Sequence, residues 1–286
     1  MNPKLLLALL TGALFFISCS KEKSFEKRKA DTDNKGPLLV KVTMQPVGAS
    51  YTIVAMLAYD NNKKLVNMKN ELEGEVDEPY AEEESVYYRN AKSMIERMVV
   101  VMNFYDESGD FQGRDSVLLN LHFTSGGQYT YGVRTILSSS SDPVTDSIVY
   151  SYTDKDRIGL VKIFRKETNG NAYSDEQTTS YVYDVDGNIT AISIKFNVNG
   201  QDPPQVLTFQ YNDKFSPVNF GDEALLNGLV MEGFNSPNCL SGMNDPSEPD
   251  ASWEMSYDYN DFNKPAKGVY NNAVTQEKIN LTYFYQ

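Results

Sequence analysis

The chain has 286 residues, 39 of them acidic against 26 basic, for a formal net charge of −13, and a single histidine. That balance excludes nucleic acid and anionic lipid as partners held through phosphate, because Lys and Arg carry such binding. Nineteen Tyr and 14 Phe against one Trp, with Gly, Asn and Asp separating the aromatic runs, make a composition of strands and turns.

The chain opens with one charge, Lys4, then an uncharged apolar run from Leu5 to Ile17. This is the order of a signal peptide, and the run is shorter than the ~20 residues a membrane-crossing helix needs. Residues 1–18 are therefore read as a signal peptide. Phe16-Ile17-Ser18-Cys19 resembles the lipobox of bacterial lipoproteins, with Phe16 where Leu is usual. The resemblance implies cleavage before Cys19 and lipidation of its sulfur, so that the mature protein is held in a bacterial membrane by a lipid anchor. With that sulfur acylated no intrachain disulfide can form, and Cys239 is read as a small apolar core residue. Residues 19–36 are a lipidated polar tether, and 37–286 a single β-rich domain.

Leu38 begins the first apolar alternation, and Tyr51–Tyr59 is a second strand ending in Asp60-Asn61-Asn62. The acid-rich stretch 71–84, with Gly74 and Pro79, is expected to be a solvated loop. From Met94 to Phe104, Met98, Val100, Met102 and Phe104 share one face of a strand with Met94 and Glu96, and Asp106–Gly109 turns it. Val117, Leu119, Leu121 and Phe123 alternate in the next strand, which puts His122 on the less apolar face. Without a second His or a ligand-spaced cysteine, His122 makes no zinc site. Ser138–Pro143 is expected to be a loop, either a meeting of two halves near 138–146 or a hairpin connection.

The second half carries an irregular repeat. Tyr150-x-Tyr152-Thr153, Tyr181-x-Tyr183-Asp184, Phe209-x-Tyr211-Asn212 and Tyr257-x-Tyr259-Asn260 each set two aromatics on one strand face and follow them with a turn-forming side chain. The chain closes on Tyr283-Phe284-Tyr285; Tyr59-Asp60 and Tyr105-Asp106 echo the pattern. Asp186-Gly187, Asn169-Gly170 and Asn199-Gly200 are hairpin turns. An insertion, 215–252, interrupts the series. Within it a short helix from Glu223 is expected, capped by Asp222 and stopped by Gly228, and loops of this kind gather functional groups.

No catalytic set emerges. Asp184-x-Asp186-x-Asn188 opens like a calcium loop but continues with Ile189 and Lys195 where Gly and Glu belong. No phosphate loop or nucleophile elbow is present, and neither a metal site nor a cofactor is called for. Asp258 points away from its flanking tyrosines. Trp253, Tyr257 and Tyr259 share one face, as an aromatic platform for a ligand such as a glycan or as part of the sheet's core.

The lipobox, the Tyr-x-Tyr-Asp/Asn turns and the Asn- and Pro-rich insertion, over about residues 145–286, resemble uncharacterised lipoproteins of Bacteroides and its relatives. The resemblance implies a β-rich outer-membrane lipoprotein, on the periplasmic or the outer surface, and supplies no catalytic residue. Asp115-Ser116-Val117 and Asp146-Ser147-Ile148 are similar to short O-glycosylation sequons of those organisms. The expected fold is all-β: a large twisted antiparallel sheet of successive hairpins, curled on itself or sandwich-like, with at most one or two short helices. The expected function is a non-enzymatic binding or structural module of the envelope, with a glycan or an envelope protein as partner; the alternative is a glycan hydrolase working through a carboxylate pair.

Overall fold

Short apolar alternations separated by turn residues specify hairpins, and here every strand pairs with its neighbour in sequence. The computed structural model describes residues 37–75, 79–166, 172–197, 203–226 and 236–286. Cys19, the tether and the turns at Asn169-Gly170 and Asn199-Gly200 lie outside the described residues. The strands are β1 (Leu39–Pro46), β2 (Tyr51–Tyr59), β3 (Leu65–Gly74), β4 (Tyr80–Arg89), β5 (Ile95–Tyr105), β6 (Phe111–Phe123), β7 (Tyr129–Ser138) and β8 (Ser141–Tyr152). They continue with β9 (Ile158–Lys166), β10 (Tyr173–Tyr183), β11 (Ile189–Phe196), β12 (Gln205–Phe215), β13 (Asn238–Asn244), β14 (Trp253–Tyr259), β15 (Pro265–Asn271) and β16 (Lys278–Tyr285).

β1 also pairs antiparallel with β16, from Leu39 opposite Tyr285 to Pro46 opposite Ile279, and this closes a sixteen-stranded barrel. The expectation of a curled open sheet or a sandwich is thereby corrected. An open sheet of this size would keep two unpaired edges, and joining β1 to β16 removes both. Local pattern could not show that pairing, because the two strands lie at opposite ends of the chain. Two further expectations change. The acidic stretch 71–84 holds the end of β3 and the start of β4, since its acids alternate with inward Leu72 and Ala81. Between β7 and β8 the chain turns tightly at Ser139 and Ser140, with Asp142 and Pro143 already in β8.

Six hairpins at the end of the barrel that carries the chain termini are built alike. In each, the backbone N–H of the first turn residue donates to the carbonyl of the fifth, and the N–H of the fourth donates back to the first: Asp60–Lys64, Asn90–Met94, Thr124–Gln128, Thr153–Arg157, Asp184–Asn188 and Asn260–Lys264. The fourth residue has positive φ in every case: Lys63, Ser93, Gly127, Asp156, Gly187 and Asn263. The first side chain explains the sequence preference. Oδ1 of Asp60 accepts from the N–H groups of Asn62 and Lys64, and Oδ1 of Asp184 from that of Asn188. The same turn recurs once at the other end, over Asp106–Asp110.

Each turn carries a bulge, which shifts the register just before it, as between Val182 and Tyr183. A bulge leaves backbone groups outside the ladder. Side chains of neighbouring strands take them up. The Tyr152 hydroxyl accepts from Tyr129 N–H at 2.8 Å, and that of Tyr129 from Ile95 N–H at 3.1 Å. Tyr183 donates to the Ile158 carbonyl, Tyr211 to that of Ile189 and Tyr285 to that of Pro265, at 2.7, 2.8 and 2.8 Å. Arg89 Nε does the same for the Leu65 carbonyl at 3.0 Å. Every acceptor or donor in this ring is the first residue after a turn.

The inner face is apolar and filled. One cluster joins β1–β4 to β14–β16 through residues such as Val42, Ile53, Met68 and Leu281; a second runs over β5–β13 through Leu119, Ile148, Val161 and Ile192. The barrel has no open lumen through these clusters; its inner side chains form a core.

The Asp184 turn gives a direct test. Replacing Asp184→Ala removes the acceptors of both Asn188 N–H and Asn188 Nδ2 and should cost about 1–2 kcal/mol in urea unfolding. Asp184→Asn, which keeps Oδ1, should cost clearly less.

Candidate functional site

The insertion after β12 folds back into the barrel mouth. Ser216, Pro217 and Val218 are buried, and a single 3-10 turn, Gly221–Leu225, follows where a short helix was expected, whose expected stop at Gly228 lies outside the described residues. Asp222 does not cap it. Its Oδ1 accepts from Arg157 Nε at 2.9 Å and its Oδ2 from the Ile158 N–H at 3.0 Å. Glu223 forms a two-pronged pair with Arg89 at 2.8 and 2.9 Å. Val218 and Ala224 enter one core cluster, Leu225 and Leu226 the other. The insertion is thus a plug that joins the two halves of the core, and β13, which the sequence reading left within the insertion, returns the chain to the wall. Beneath the plug a cavity of about 20 Å³ is lined by Leu65, Tyr87, Arg89, Ile95, Met98, Phe220, Glu223 and Ala224. That is room for one water and no larger ligand.

Away from the plug the inner wall becomes polar. Asp146 on β8 is fully buried. Its Oδ2 accepts from Nε and Nη2 of Arg134 at 3.0 and 2.5 Å, and its Oδ1 from Nε of Arg165 at 3.1 Å. Nη1 of Arg165 lies 3.9 Å from Glu176. Cross-strand register makes this triad: Arg134 stands opposite Asp146, and Asp146 opposite Arg165. The sequence reading missed it. The signal was present, since Asp146 shares parity with Ile148 and Tyr150, and Arg134 with Gly132 and Ile136. In sequence Asp146 stands at the head of the sequon-like Asp146-Ser147-Ile148, which masks its inward position.

A second polar group sits on β3 and β4. Asn70 pairs in register with Glu83, and Met68 with Ser85. Glu83 Oε1 accepts from Ser85 Oγ at 3.3 Å. Burial pushes the Glu83 carboxyl up to about 7, against a weaker opposing effect of the Ser85 hydrogen bond. A carboxyl whose folded pKa is raised binds its proton more tightly in the native state. Its stabilisation is therefore complete below the unfolded pKa and is lost as pH rises through about 7.

The residues singled out from sequence are placed as follows. Trp253, Tyr257 and Tyr259 lie on the inner face. Trp253 packs against both core clusters and lies 5.7 Å from the Tyr270 ring. Tyr257 donates to the Leu240 carbonyl at 2.7 Å, and the Tyr259 hydroxyl accepts from Asn212 Nδ2 at 2.7 Å. Their hydroxyls are engaged in the interior, so they present no outward platform. Cys239 is fully buried beside Tyr259 and is disulfide-bonded, which corrects its reading as an unpaired core residue. Asp258 is exposed on the outer wall, and His122 is exposed there, stacked on Tyr131 at 4.2 Å. Among the described residues no cluster of His, Cys, Asp and Glu could hold a metal.

Over the described residues the outer wall is mostly polar, with exposed apolar side chains such as Tyr88, Tyr131, Leu137, Val182, Phe196 and Phe284 near the strand ends. Lys69, Glu84, Lys162 and Lys267 point outward near the middle of their strands and Lys41, Arg97 and Asp258 nearer the ends, interleaved with Thr43, Asn67, Ser193, Ser256 and Thr282. The most apolar outward strip, Val99, Val101, Leu118, Val133 and Val149, is bordered by Arg97, Asn120 and Lys162. A lipid-facing barrel needs an uncharged belt about 25 Å tall, with Lys or Arg at its centre costing about 2–4 kcal/mol each. This wall has none.

No family model and no curated protein matches the chain. Among solved structures, it is similar to a porin-like protein from Bacteroides uniformis, at 11% identity and a TM-score of 0.49, over 87% of this chain and 98% of that one. A porin-like protein from Bacteroides vulgatus is similar at 11% identity and a TM-score of 0.45, over 88% and 99%.

The buried triad predicts a large single-site effect. Asp146→Ala takes the shared carboxylate from two arginines, one of them buried, and should destabilise the fold by about 3–5 kcal/mol in chemical unfolding.

Proposed function

We propose that the protein is a lipid-anchored, non-enzymatic module of the outer membrane whose barrel stands in water beside the bilayer. The observation that carries this reading is the polarity of the wall: the plug half is apolar and filled inside, and Lys, Arg, Glu and Asp side chains stand outside, where a lipid-facing barrel is apolar. Signal and anchor are supported by the sequence alone, through the run Leu5–Ile17 and Cys19. β1 begins and β16 ends at the plug end, where Leu38 and Gln286 exchange backbone hydrogen bonds. An anchored tether would therefore turn the plug end toward the membrane and the polar inner half away from it. Two or more acyl chains would hold such a barrel stably without any wall contact.

The core is filled and the plug is pinned by two ion pairs, which suits a rigid binding or scaffolding element. A glycan or an envelope protein would then be met on the outer wall or at the end opposite the plug.

The test is release. With a site for a specific protease placed after Lys35, cleavage on isolated outer membranes should free the barrel into the supernatant as a detergent-free monomer. Retention of the cut barrel in the membrane pellet would contradict the proposal.

A further inference from the structure

The polar group on β3 and β4 is incomplete as it stands. Asn70 is 1% exposed, and neither its Nδ2 nor its Oδ1 has a hydrogen-bond partner among the described residues. Asp146 is matched by two arginines and Asn188 by Asp184, and where Tyr59 and Asn238 each leave a single oxygen unpaired among the described residues, Asn70 leaves both of its polar atoms so. A buried amide left unpaired costs about 1–3 kcal/mol, so two orphaned atoms on one side chain mark the place of an absent partner. Directly opposite, Glu83 holds only the 3.3 Å hydrogen bond from Ser85, and no ion pair among the described residues includes it.

We infer that Asn70, Glu83 and Ser85 form a binding site for a short alkylammonium ion, a protonated primary amine, on the inner wall of the barrel. The donor and acceptor count selects this chemistry. The site offers the two carboxylate oxygens and the Asn70 carbonyl oxygen as acceptors, against the Asn70 amide N–H groups, which the second carboxylate oxygen can take, and a Ser85 hydroxyl already given to Glu83. With Glu83 ionised, acceptors remain in excess and the site carries one negative charge. A primary ammonium brings three N–H donors and one positive charge. A carboxylate or phosphate would meet Glu83 with like charge, and a quaternary ammonium has no donor for Asn70. The next inward side chains toward the open end are Leu72, Ala81 and Phe104, which belong to the apolar core and can cover a short alkyl tail. Glu83 is only partly buried, so the site is not sealed from solvent.

The experiment titrates the full chain, purified in mild detergent, with propylammonium at constant ionic strength, with sodium and tetramethylammonium as controls. The unfolding temperature should rise saturably with propylammonium and stay flat with both controls, and Glu83→Gln and Asn70→Ala should each weaken the response roughly tenfold or more. The carboxyl carbon-13 resonance of Glu83 in the unmodified chain should move along the same curve, which decides the matter even if a variant misfolds. An unmoved resonance in the unmodified chain, an equal response to tetramethylammonium, or unchanged binding by a well-folded Glu83→Gln would overturn the assignment.

Discussion

The barrel depends on one recurring interaction: a side chain reaching from a neighbouring strand to the backbone group that a hairpin bulge leaves unpaired. A tight five-residue turn gives each strand pair its twist, at the cost of a bulge that removes one residue from the ladder. Six such bulges at one end would leave a circle of unsatisfied groups beside an apolar core. Tyr129, Tyr152, Tyr183, Tyr211, Tyr285 and Arg89 close that circle. Burial holds the phenols of Tyr129, Tyr152 and Tyr285 above their ordinary pKa, about 12 for Tyr152, so these three remain hydroxyls. The hairpin β12–β13 departs from the pattern because its connection became the plug.

The same interaction explains why the repeat reads as it does. In Tyr-x-Tyr-Asp, the first tyrosine belongs to the inner core, as Tyr150 and Tyr181 do. The second satisfies the bulge of an adjacent hairpin at Tyr152, Tyr183, Tyr211 and Tyr285, though not at Tyr259, which bonds Asn212 instead, and the Asp, Asn or Thr that opens a five-residue turn caps it. Where the first half has Phe123 in the second position, no hydroxyl is available and Tyr129 serves Ile95 from the start of β7 instead. The pattern is weak there because the work is redistributed, and its spacing is irregular because only the turns, and not the strand lengths, are under this constraint.

Strands, turns and inward faces were legible where side chains alternate and turn residues follow, as in β5, β6 and β10. Closure was not, because pairing Val42 with Tyr283 is decided by two edges that share no local signal. The acidic loop failed for a related reason: charge at Glu71, Glu82 and Glu84 was weighed over the inward alternation of Met68, Asn70 and Leu72. The buried triad went unseen because an inward charge is recognised only once its cross-strand neighbours are known. A sixteen-stranded wall with an apolar filling also places constraints on function. It leaves the chemistry to the plug, the polar inner half and the outer surface.

The ring of bulge-satisfying side chains is tested most directly by amide hydrogen exchange at Tyr129 in the Tyr152→Phe variant. The hydroxyl of Tyr152 is the acceptor for that N–H, so its exchange should accelerate selectively while global stability falls by about 1–2 kcal/mol. Unchanged protection of the Tyr129 amide, with stability intact, would show that the bulges need no such partner and would contradict the account.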